Sequence, residues 1–424
     1  HLRLPNQLKI KSFLPSIKDK INIKNHIINI NFHKKNLKIE GNGNILLQNN
    51  EDSIDYKINK LNKSLNFEIF LKIKNNPVLI DFLGFKKRND SNIDLDFKGS
   101  YIQDDNLQIK SFSINEDKNK LEVEGLFLDK DFKIKKFKKA IFNYFDEDRK
   151  KNELSIVNKD GFYNLVGTQF NANRFIENLI EGNNSNKSKI FSQNFNINIE
   201  LKRVLIDEKY TLKNFIGYLN FQNNEVTNAE INAFFSKNKN FKFTIKSNQN
   251  EKVTTFFLDE AEPIVKRYKF IKGYRDGSLD FYSSKKGNLS KSNLKIYDFR
   301  LKELSILTKL LTLASLQGIA DILSGEGITF DEFEMIFKNQ DDLMTIEEIY
   351  AIGPAISVLM DGYVEKDKLI SLRGSLVPAT TINKAIGSIP VLGKILVGSK
   401  TGEGVFGVSF KIKGSPKNLE TTVN

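Results

Sequence analysis

The sequence predicts a mainly β fold: an elongated, curled antiparallel β-sheet that forms a hydrophobic groove, with a few apolar or amphipathic helices near its C-terminal end. Apolar and polar residues alternate with period two in many segments, which gives each strand one apolar and one polar face. Short polar turns separate these segments, and turns this short join antiparallel neighbours. The third observation is a single long apolar helix at residues 301–323, which follows the alternating region.

The alternation is clearest in four segments of the first 300 residues. We expect their apolar members to share one face of the sheet and to line the groove, because alternate residues of a strand point to the same side. These candidate groove residues are Leu65, Phe67, Ile69 and Leu71; Ile93, Leu95 and Phe97; Phe195, Ile197 and Ile199; and Phe241, Phe243 and Ile245. In this region only residues 175–180 and 264–270 are expected to be helical.

The number of expected strands, about twenty, makes the sheet too large to stay flat, so it must curl, close or split. Stacked side by side, about twenty strands would give a ribbon on the order of 90–100 Å long and about 26 Å wide. Folding this ribbon lengthwise, with the apolar face inward, gives a trough. Two packed sheets would show the same alternation, so the pattern leaves both the trough and the sandwich open.

Residues 301–323 form the most apolar stretch of the chain and predict one helix, for which Gly325 is a suitable C-terminal residue. Its polar residues recur at helical spacing and leave only a narrow polar stripe, made of Ser305, Thr308, Lys309, Thr312 and Ser315. A membrane-spanning role is disfavoured because Lys309 lies near the middle of the stretch, where a charge is costly.

A second apolar segment, residues 382–397, is interrupted by Gly387, Pro390 and Gly393 and therefore predicts short helical turns. We expect the two segments to close one end of the groove, either as a plug or as a paddle that enters a membrane leaflet. The candidate gate residues are Leu304, Leu307, Leu311 and Leu316 in the first segment and Ile386, Ile389 and Leu392 in the second.

The sequence suggests two regions: residues 1–300, a β-rich repeat region that forms the groove, and residues 301–424, a C-terminal module with the apolar helix, strands and the segment 382–397. In the module, alternation predicts strands at Ile328–Phe337, Leu343–Ile352, Ile356–Val364 and Leu369–Val377, with Val405–Ile412 as the last strand. The chain starts with His1 and its first residues are not apolar, so we expect any signal or membrane anchor to lie upstream.

The net charge of +13 is unevenly distributed. From residue 301 onward there are 12 Lys and Arg against 15 Asp and Glu, a net of −3, which leaves +16 for residues 1–300. The favoured interpretation is a solvated strand face rich in Lys. Binding to anionic lipid headgroups is the second interpretation, and nucleic acid is disfavoured because no recognition helix or aromatic RNA-binding motif accompanies the charge.

Catalytic and metal sites are not indicated by the sequence. There is no Cys, and the three His residues show no zinc-ligand spacing. A Gly-x-Gly-x-x-Gly pattern at Gly402, Gly404 and Gly407 precedes a strand instead of following one, so it predicts a turn and not a dinucleotide site. We therefore expect no enzyme activity, no cofactor and no metal.

One family resemblance adds to this interpretation. From about Asp298 to Val423 the chain resembles the C-terminal region of AsmA-like proteins of the YhdP type, which are bacterial bridge-like lipid transport proteins. The matching features are Gly318 after the Leu-rich run, Gly325 and Gly327 before Phe330, Gly353-Pro354, Gly374, Val377-Pro378, Asn383, Gly387, Ile389-Pro390 and the run Gly402 to Phe406.

The resemblance implies a Gram-negative envelope protein that is anchored in the inner membrane, has its body in the periplasm and carries phospholipid toward the outer membrane through a β-groove. Its implied partners are phospholipids, both membranes and envelope proteins at either end. The alternative is a structural or chaperone-like envelope protein that assists outer-membrane protein assembly, by adding an unfolded strand to a sheet edge.

Overall fold

The computed structural model describes residues 2–3, 16–18, 20–34, 36–102, 107–130, 133–174, 176, 193–222, 225–267, 273–302, 305–313, 325–378, 407–416 and 418–423. The chain divides into two compact units, His1–Val226 and Thr227–Asn424, called unit 1 and unit 2 below. The boundary at residue 300 expected from the sequence marks the change from alternating strands to the apolar helix, and it stays a prediction.

Unit 1 consists almost entirely of β-strands, and all of them except β6 and β7 belong to one large sheet. Its strands are β1 (Leu2–Arg3), β2 (Lys20–His33), β3 (Asn36–Leu46), β4 (Asp52–Leu61), β5 (Ser64–Ile73), β6 (Leu79–Ile80), β7 (Phe85–Lys86), β8 (Ile93–Ile102), β9 (Leu107–Glu116), β10 (Asn119–Leu128), β11 (Ile134–Lys136), β12 (Lys139–Phe145), β13 (Lys151–Lys159), β14 (Phe162–Asn171), β15 (Phe195–Leu205) and β16 (Thr211–Gln222).

Tight turns with Asn or Asp in the left-handed conformation join many neighbouring strands. Asn62, Asp117 and Asp160 have φ values of 53°, 50° and 52°. Asn and Asp tolerate positive φ better than other non-glycine residues, and such turns match the twist of antiparallel strands. The short polar turns of the sequence therefore produce the expected antiparallel meander.

One connection departs from the meander. Strands β14 and β15 pair in parallel, with Phe162 opposite Asn196 and Asn171 opposite Leu205. A parallel pair needs a connection that returns along the length of the strands, and residues 172–194 separate the two strands in the sequence. The expected helix at 175–180 lies in this connection and, apart from residue 176, outside the described residues.

The segment between β5 and β8 does not follow the alternation. Residues 77–87, called the cap here, contain β6, a 3-10 turn at Asp81–Leu83 and β7. Gly84 ends the turn in the left-handed conformation, with φ of 61°. The cap buries Val78, Ile80 and Phe85 in a cluster with sheet residues that include Ile73, Ile93 and Tyr144.

The described residues of unit 2 also form one large sheet, with two helices between strands. Its strands are β17 (Glu225–Phe234), β18 (Asn240–Ser247), β19 (Lys252–Leu258), β20 (Arg275–Lys286), β21 (Leu289–Leu301), β22 (Ile328–Gln340), β23 (Leu343–Ile352), β24 (Ile356–Glu365), β25 (Leu369–Pro378), β26 (Val408–Ser415) and β27 (Asn418–Val423). Its helices are α1 (Glu262–Val265) and α2 (Ser305–Leu313), and a 3-10 turn lies at Ser236–Asn238.

The mainly β fold class predicted from the sequence is confirmed, and the bounds of the four predicted strands from residue 328 to residue 377 differ from the observed bounds by at most three residues. The prediction that Val405–Ile412 is the last strand was wrong, because β27 follows β26 and pairs with it, Phe410 opposite Val423. Strand β27, NLETTV, is short and mostly polar, so its sequence lacks the apolar alternation that marks the other strands.

Helix α2 falls within the predicted helix 301–323, but the predicted start was wrong, because Leu301 is the last residue of β21. Residues 303–304 and 314–323 of that prediction lie outside the described residues. Leu307, Leu310 and Leu311 are buried, with exposures of 6%, 4% and 0%. The helix packs against β27, and its Thr312 and Leu313 remain exposed. Helix α1 overlaps the predicted segment 264–270 only at Ile264 and Val265, and residues 268–270 lie outside the described residues. Pro263 lies in the first turn of the helix.

Candidate functional site

The apolar candidates of unit 1 share one face of its sheet. Directly opposed residues of neighbouring strands point to the same side, and Ile69 opposes Phe97 while Leu71 opposes Leu95. The series continues from Leu95 through Ile114, Leu121, Phe142, Leu154 and Gly167 to Leu201, which lies on the same side of β15 as Phe195, Ile197 and Ile199. All ten unit 1 candidates therefore lie on this side, called apolar face 1.

Unit 2 has a face of the same kind, called apolar face 2. Ile245 opposes Ala229 and Phe243 opposes Phe256. From Phe256 the opposed residues are Phe281, Leu294, Met335, Ile349, Met360, Gly374 and Phe410 in turn. The three candidates on β18 thus belong to an apolar surface that continues to β26.

The exposure of the candidates distinguishes an open face from a sandwich core. Phe67, Leu71, Ile93, Ile199 and Ile245 are buried. The other eight, Leu65, Ile69, Leu95, Phe97, Phe195, Ile197, Phe241 and Phe243, are only half-buried. A second packed sheet would cover side chains in the middle of the face, and the only other sheet among the described residues is the β6–β7 pair. Each unit thus presents a single sheet with a partly open apolar face.

Aromatic rings cover much of apolar face 1. Phe67 stacks on Phe97 with centroids 5.0 Å apart, and Phe195 stacks on Phe221 at 4.4 Å. Phe67 also lies over its partner Gly99, where an added Cβ would come within 2.8 Å of the ring and 2.3 Å of the Gln108 carbonyl oxygen. Glycine at this position therefore leaves room for the Phe67 ring on apolar face 1.

The two long rims of the unit 1 sheet differ sharply. Every described polar or charged residue of unit 1 that is buried lies at one rim, called the closed rim, where β3, β5, β9, β12 and β14 end. These residues are Gln48, Asp52, Asn76, Lys87, Ser91, Glu116, Asn119, Asp146, Asn152 and Gln169. The cap lies at the same rim, where it covers the end of apolar face 1.

Hydrogen bonds along the closed rim satisfy its buried groups. Glu116 is fully buried; its carboxylate accepts hydrogen bonds from the Arg88 backbone N–H at 2.8 Å, from the Asn119 amide at 3.0 Å and from the Ser91 hydroxyl. The Asp146 carboxylate accepts bonds from the amides of Asn152 and Asn171 at 3.1 and 2.8 Å. Because buried polar groups are costly unless paired, this network fixes the turns and excludes water.

Asp52 shows the electrostatic cost of the closed rim. Burial raises the pKa of its carboxyl group, and hydrogen bonds from the Asn76 side chain at 2.6 Å and the Lys74 backbone N–H at 3.0 Å offset only part of that shift. The Asp52 side chain thus links the start of β4 to the turn after β5 at an electrostatic cost.

The opposite rim, called the open rim, has no such cover. Large apolar side chains are exposed there, including Phe32 at 69%, Ile30 at 67%, Leu61 at 52% and Phe162 at 50%. Ile30 and Phe32 lie on apolar face 1, whereas Leu61 and Phe162 point to the opposite face. Contiguous exposed apolar surface marks binding sites, whereas single exposed apolar residues are common. Apolar face 1 is therefore exposed at the open rim of β2 and covered by the cap at the closed rim.

The candidate gate residues are only partly within the described chain. Leu307 and Leu311 are buried in α2. Leu304, Leu316, Ile386, Ile389 and Leu392 lie outside the described residues, as does the whole segment 382–397. The gate stays a prediction, and the structure adds that α2 packs against the last strand of unit 2.

The polar face of unit 2 contains one dense cluster that the sequence did not indicate. The Tyr350 hydroxyl lies 2.6 Å from Glu334 Oε2 and 2.9 Å from Glu332 Oε1. Burial raises the pKa of Glu334, but hydrogen bonds from Tyr350, Asn293 and Lys295 outweigh burial and hold it below its usual value. Within the described residues, no group of three or more His, Asp or Glu is placed to hold a metal ion. The cluster is best explained as a cross-strand network.

No family model, curated protein or solved structure that was compared with the chain matches it. None of the helices in the described part of the chain is both long and apolar enough to cross a membrane. The resemblance of residues 298–423 to AsmA-like proteins therefore stays a prediction.

Proposed function

We propose that this protein binds phospholipid acyl chains on its apolar faces and transports phospholipid between the inner and outer membranes of a Gram-negative envelope. The observation that carries the proposal is the partly open apolar face of a single sheet, continuous from β2 to β16 in unit 1 and from β17 to β26 in unit 2. A protein core would bury such residues, whereas a lipid-binding face must leave them accessible.

The dimensions of the face suit an acyl chain. A ten-residue strand such as β5 is about 33 Å long at about 3.3 Å per residue, and an acyl chain occupies about half of a ~30 Å hydrocarbon core. Burial of each CH₂ group is worth about 0.8 kcal/mol, so a chain of about 16 carbons gains on the order of 10 kcal/mol. That gain is enough to hold a lipid without polar contacts to its tails.

The rims suggest how the lipid is oriented. Along the closed rim the cap and the hydrogen-bonded turns leave no room for a headgroup, whereas the open rim exposes apolar side chains directly to solvent. We infer that acyl chains lie on apolar face 1 and that headgroups project from the open rim. On the family resemblance, we further propose an inner-membrane anchor, a periplasmic body and envelope protein partners at the two ends.

The alternative, a chaperone-like or structural role in outer-membrane protein assembly, is favoured by one feature. Among the described residues β2 pairs with β1 only at Lys20 and Ile21, so its outer edge is otherwise unpaired. That edge carries the exposed residues Ile27, Ile30 and Phe32. An extended peptide could add to it as a further strand.

Lipid extraction from the purified chain, together with native mass spectrometry, tests the proposal. We expect co-purified phospholipid with little preference among acyl chains. Lipid-free, soluble and monodisperse protein after mild purification would contradict lipid transport. Crosslinking of an unfolded outer-membrane strand to the β2 edge in such lipid-free protein would support the alternative.

A further inference from the structure

A cluster of lysines lies between β10 and β12 at the open rim. Residues 129–139 contain six lysines and two aspartates, a net charge of +4. Lys130, Lys135, Lys136 and Lys138 are exposed. We call these four residues the lysine rim.

The charges of the lysine rim are not neutralised. None of its four lysines has an ion pair with a described carboxylate. Some lysines elsewhere are paired, for example Lys24 with Glu51 at 2.6 Å and Lys239 with Glu260 at 2.8 Å, whereas others are single exposed lysines that do not form a cluster. The lysine rim is thus an uncompensated positive patch, which attracts anions from solution.

The lysine rim also borders apolar face 1. Phe137, next to Lys136 and Lys138, packs on Tyr163 with ring centroids 4.6 Å apart. Its backbone N–H donates to the Tyr163 hydroxyl at 3.2 Å. The ring of Tyr163 in turn packs against the ring of Phe195, one of the groove candidates, with centroids 6.0 Å apart. Positive charge and the apolar surface therefore meet within a few residues.

Backbone hydrogen bonds hold the lysine rim in place. The Lys138 N–H donates to the Glu124 carbonyl at 2.9 Å, and the Asn158 N–H donates to the Lys138 carbonyl at 2.9 Å. Lys136 pairs with Phe127 on the side of the sheet opposite apolar face 1, and its Nζ lies 5.0 Å from the centroid of the Phe127 ring. The lysines are consequently presented by paired strands at the open rim.

We propose that the lysine rim binds the phosphate of anionic phospholipid headgroups while the attached acyl chains occupy apolar face 1. This inference rests on the proposed lipid-binding function and adds a headgroup preference to it. Lys is a compact charge that binds phosphate, and each Lys close to an anionic lipid surface strengthens binding roughly fivefold. Because salt screens electrostatic attraction, the preference for anionic over zwitterionic lipid should weaken as the salt concentration rises.

The test compares two variants of the full chain with equal loss of charge. The rim variant carries Lys130→Gln, Lys135→Gln, Lys136→Gln and Lys138→Gln. The control variant carries Lys72→Gln, Lys110→Gln, Lys213→Gln and Lys242→Gln, four scattered, exposed lysines that also have no described ion pair. Flotation with vesicles of phosphatidylcholine, alone or mixed with phosphatidylglycerol, measures the headgroup preference, and circular dichroism checks folding.

We expect the wild-type chain to prefer the anionic vesicles, the rim variant to lose at least about tenfold in binding to them, and the control variant to lose much less. Equal losses in both variants, or no anionic preference in the wild type, would overturn the inference. Inorganic phosphate at millimolar concentration should compete weakly, because it lacks acyl chains. Full competition by phosphate, or stronger rim-dependent binding of single-stranded DNA, would show that the site is not a lipid headgroup site.

Uptake of a fluorescent phosphatidylcholine separates this inference from the proposed function. If the rim variant takes up the zwitterionic lipid like the wild type but loses the anionic preference, both proposals hold. If the wild type takes up lipid without any headgroup preference, only the lysine rim inference fails. If the wild type takes up no lipid at all, the proposed function itself fails.

Discussion

The closed and open rims of unit 1 are formed by opposite ends of the same strands, yet the strand ends are buried at one rim and exposed at the other. At the closed rim, carboxylates and amides of the turns bond to one another and to backbone N–H groups, and the cap covers the apolar side chains. At the open rim, the turns leave Phe32, Leu61 and Phe162 in solvent. Access to apolar face 1 therefore depends on the turns at the strand ends as well as on which face of the sheet carries the apolar residues.

The largest expected effect concerns the apolar residues of the two rims. Phe85→Ala in the cap should lower the free energy of unfolding by about 3–5 kcal/mol, because Phe85 is fully buried against Tyr144. Phe32→Ala at the open rim, where the ring is 69% exposed, should cost less than about 0.5 kcal/mol. Urea unfolding followed by circular dichroism measures both, and similar losses would remove the distinction between the rims.

The next effect concerns the polar residues of the closed rim. Glu116→Ala should cost about 2–4 kcal/mol, because it leaves the Arg88 N–H, the Ser91 hydroxyl and the Asn119 amide without their acceptor in a buried position. Lys135→Gln at the open rim is the control and should be nearly neutral. A loss below about 1 kcal/mol for Glu116→Ala would mean that water reaches the closed rim.

A smaller effect on the free energy of unfolding is expected on the polar face of unit 2, at the hydrogen bond between Tyr350 and Glu334. Tyr350→Phe removes a hydrogen bond to Glu334 and should cost about 1 kcal/mol at neutral pH. Because the folded-state pKa of Glu334 is lowered, its stabilising effect is present above the unfolded pKa and is lost as the pH falls through the folded pKa. The difference between variant and wild type should therefore shrink below about pH 4.

Thermal unfolding of both proteins at neutral and acidic pH measures this difference. A difference that stays constant down to acidic pH would show that the Tyr350 hydroxyl stabilises the sheet without acting on the Glu334 carboxylate.

The sequence was sufficient for the strands that alternate cleanly between two turns. Strand β5 is an example, because Leu65, Phe67, Ile69 and Leu71 alternate with mostly polar residues in the sequence and share one face of the sheet. The candidate groove residues were placed on common faces for the same reason, since a period of two fixes which side each residue takes.

The remaining features depend on contacts between distant residues. The cap is a short apolar run without periodicity, and only its packing on Ile73 and Ile93 makes it part of a core. The parallel pair β14–β15 depends on a long connection that no local pattern specifies. The rims could not be distinguished from sequence, because Asn and Asp occur in turns at both of them, as Asn62 and Asp117 illustrate.

The central claim is that the apolar faces bind lipid, and a matched pair of variants in β15 tests it most directly. Ile197 is half-buried on apolar face 1, and its neighbour Asn198 is exposed on the other face. We predict that Ile197→Asp folds but loses co-purified phospholipid, because an open face can hydrate the new charge while an acyl chain cannot pack on it. Asn198→Asp should keep both fold and lipid.

Circular dichroism and lipid extraction of the two purified variants provide the measurement. A folded Ile197→Asp variant that has lost most of its lipid beside a loaded Asn198→Asp variant is the predicted result. Cooperative unfolding of Ile197→Asp would indicate a dry core, and equal lipid content in both variants would contradict lipid binding on this face.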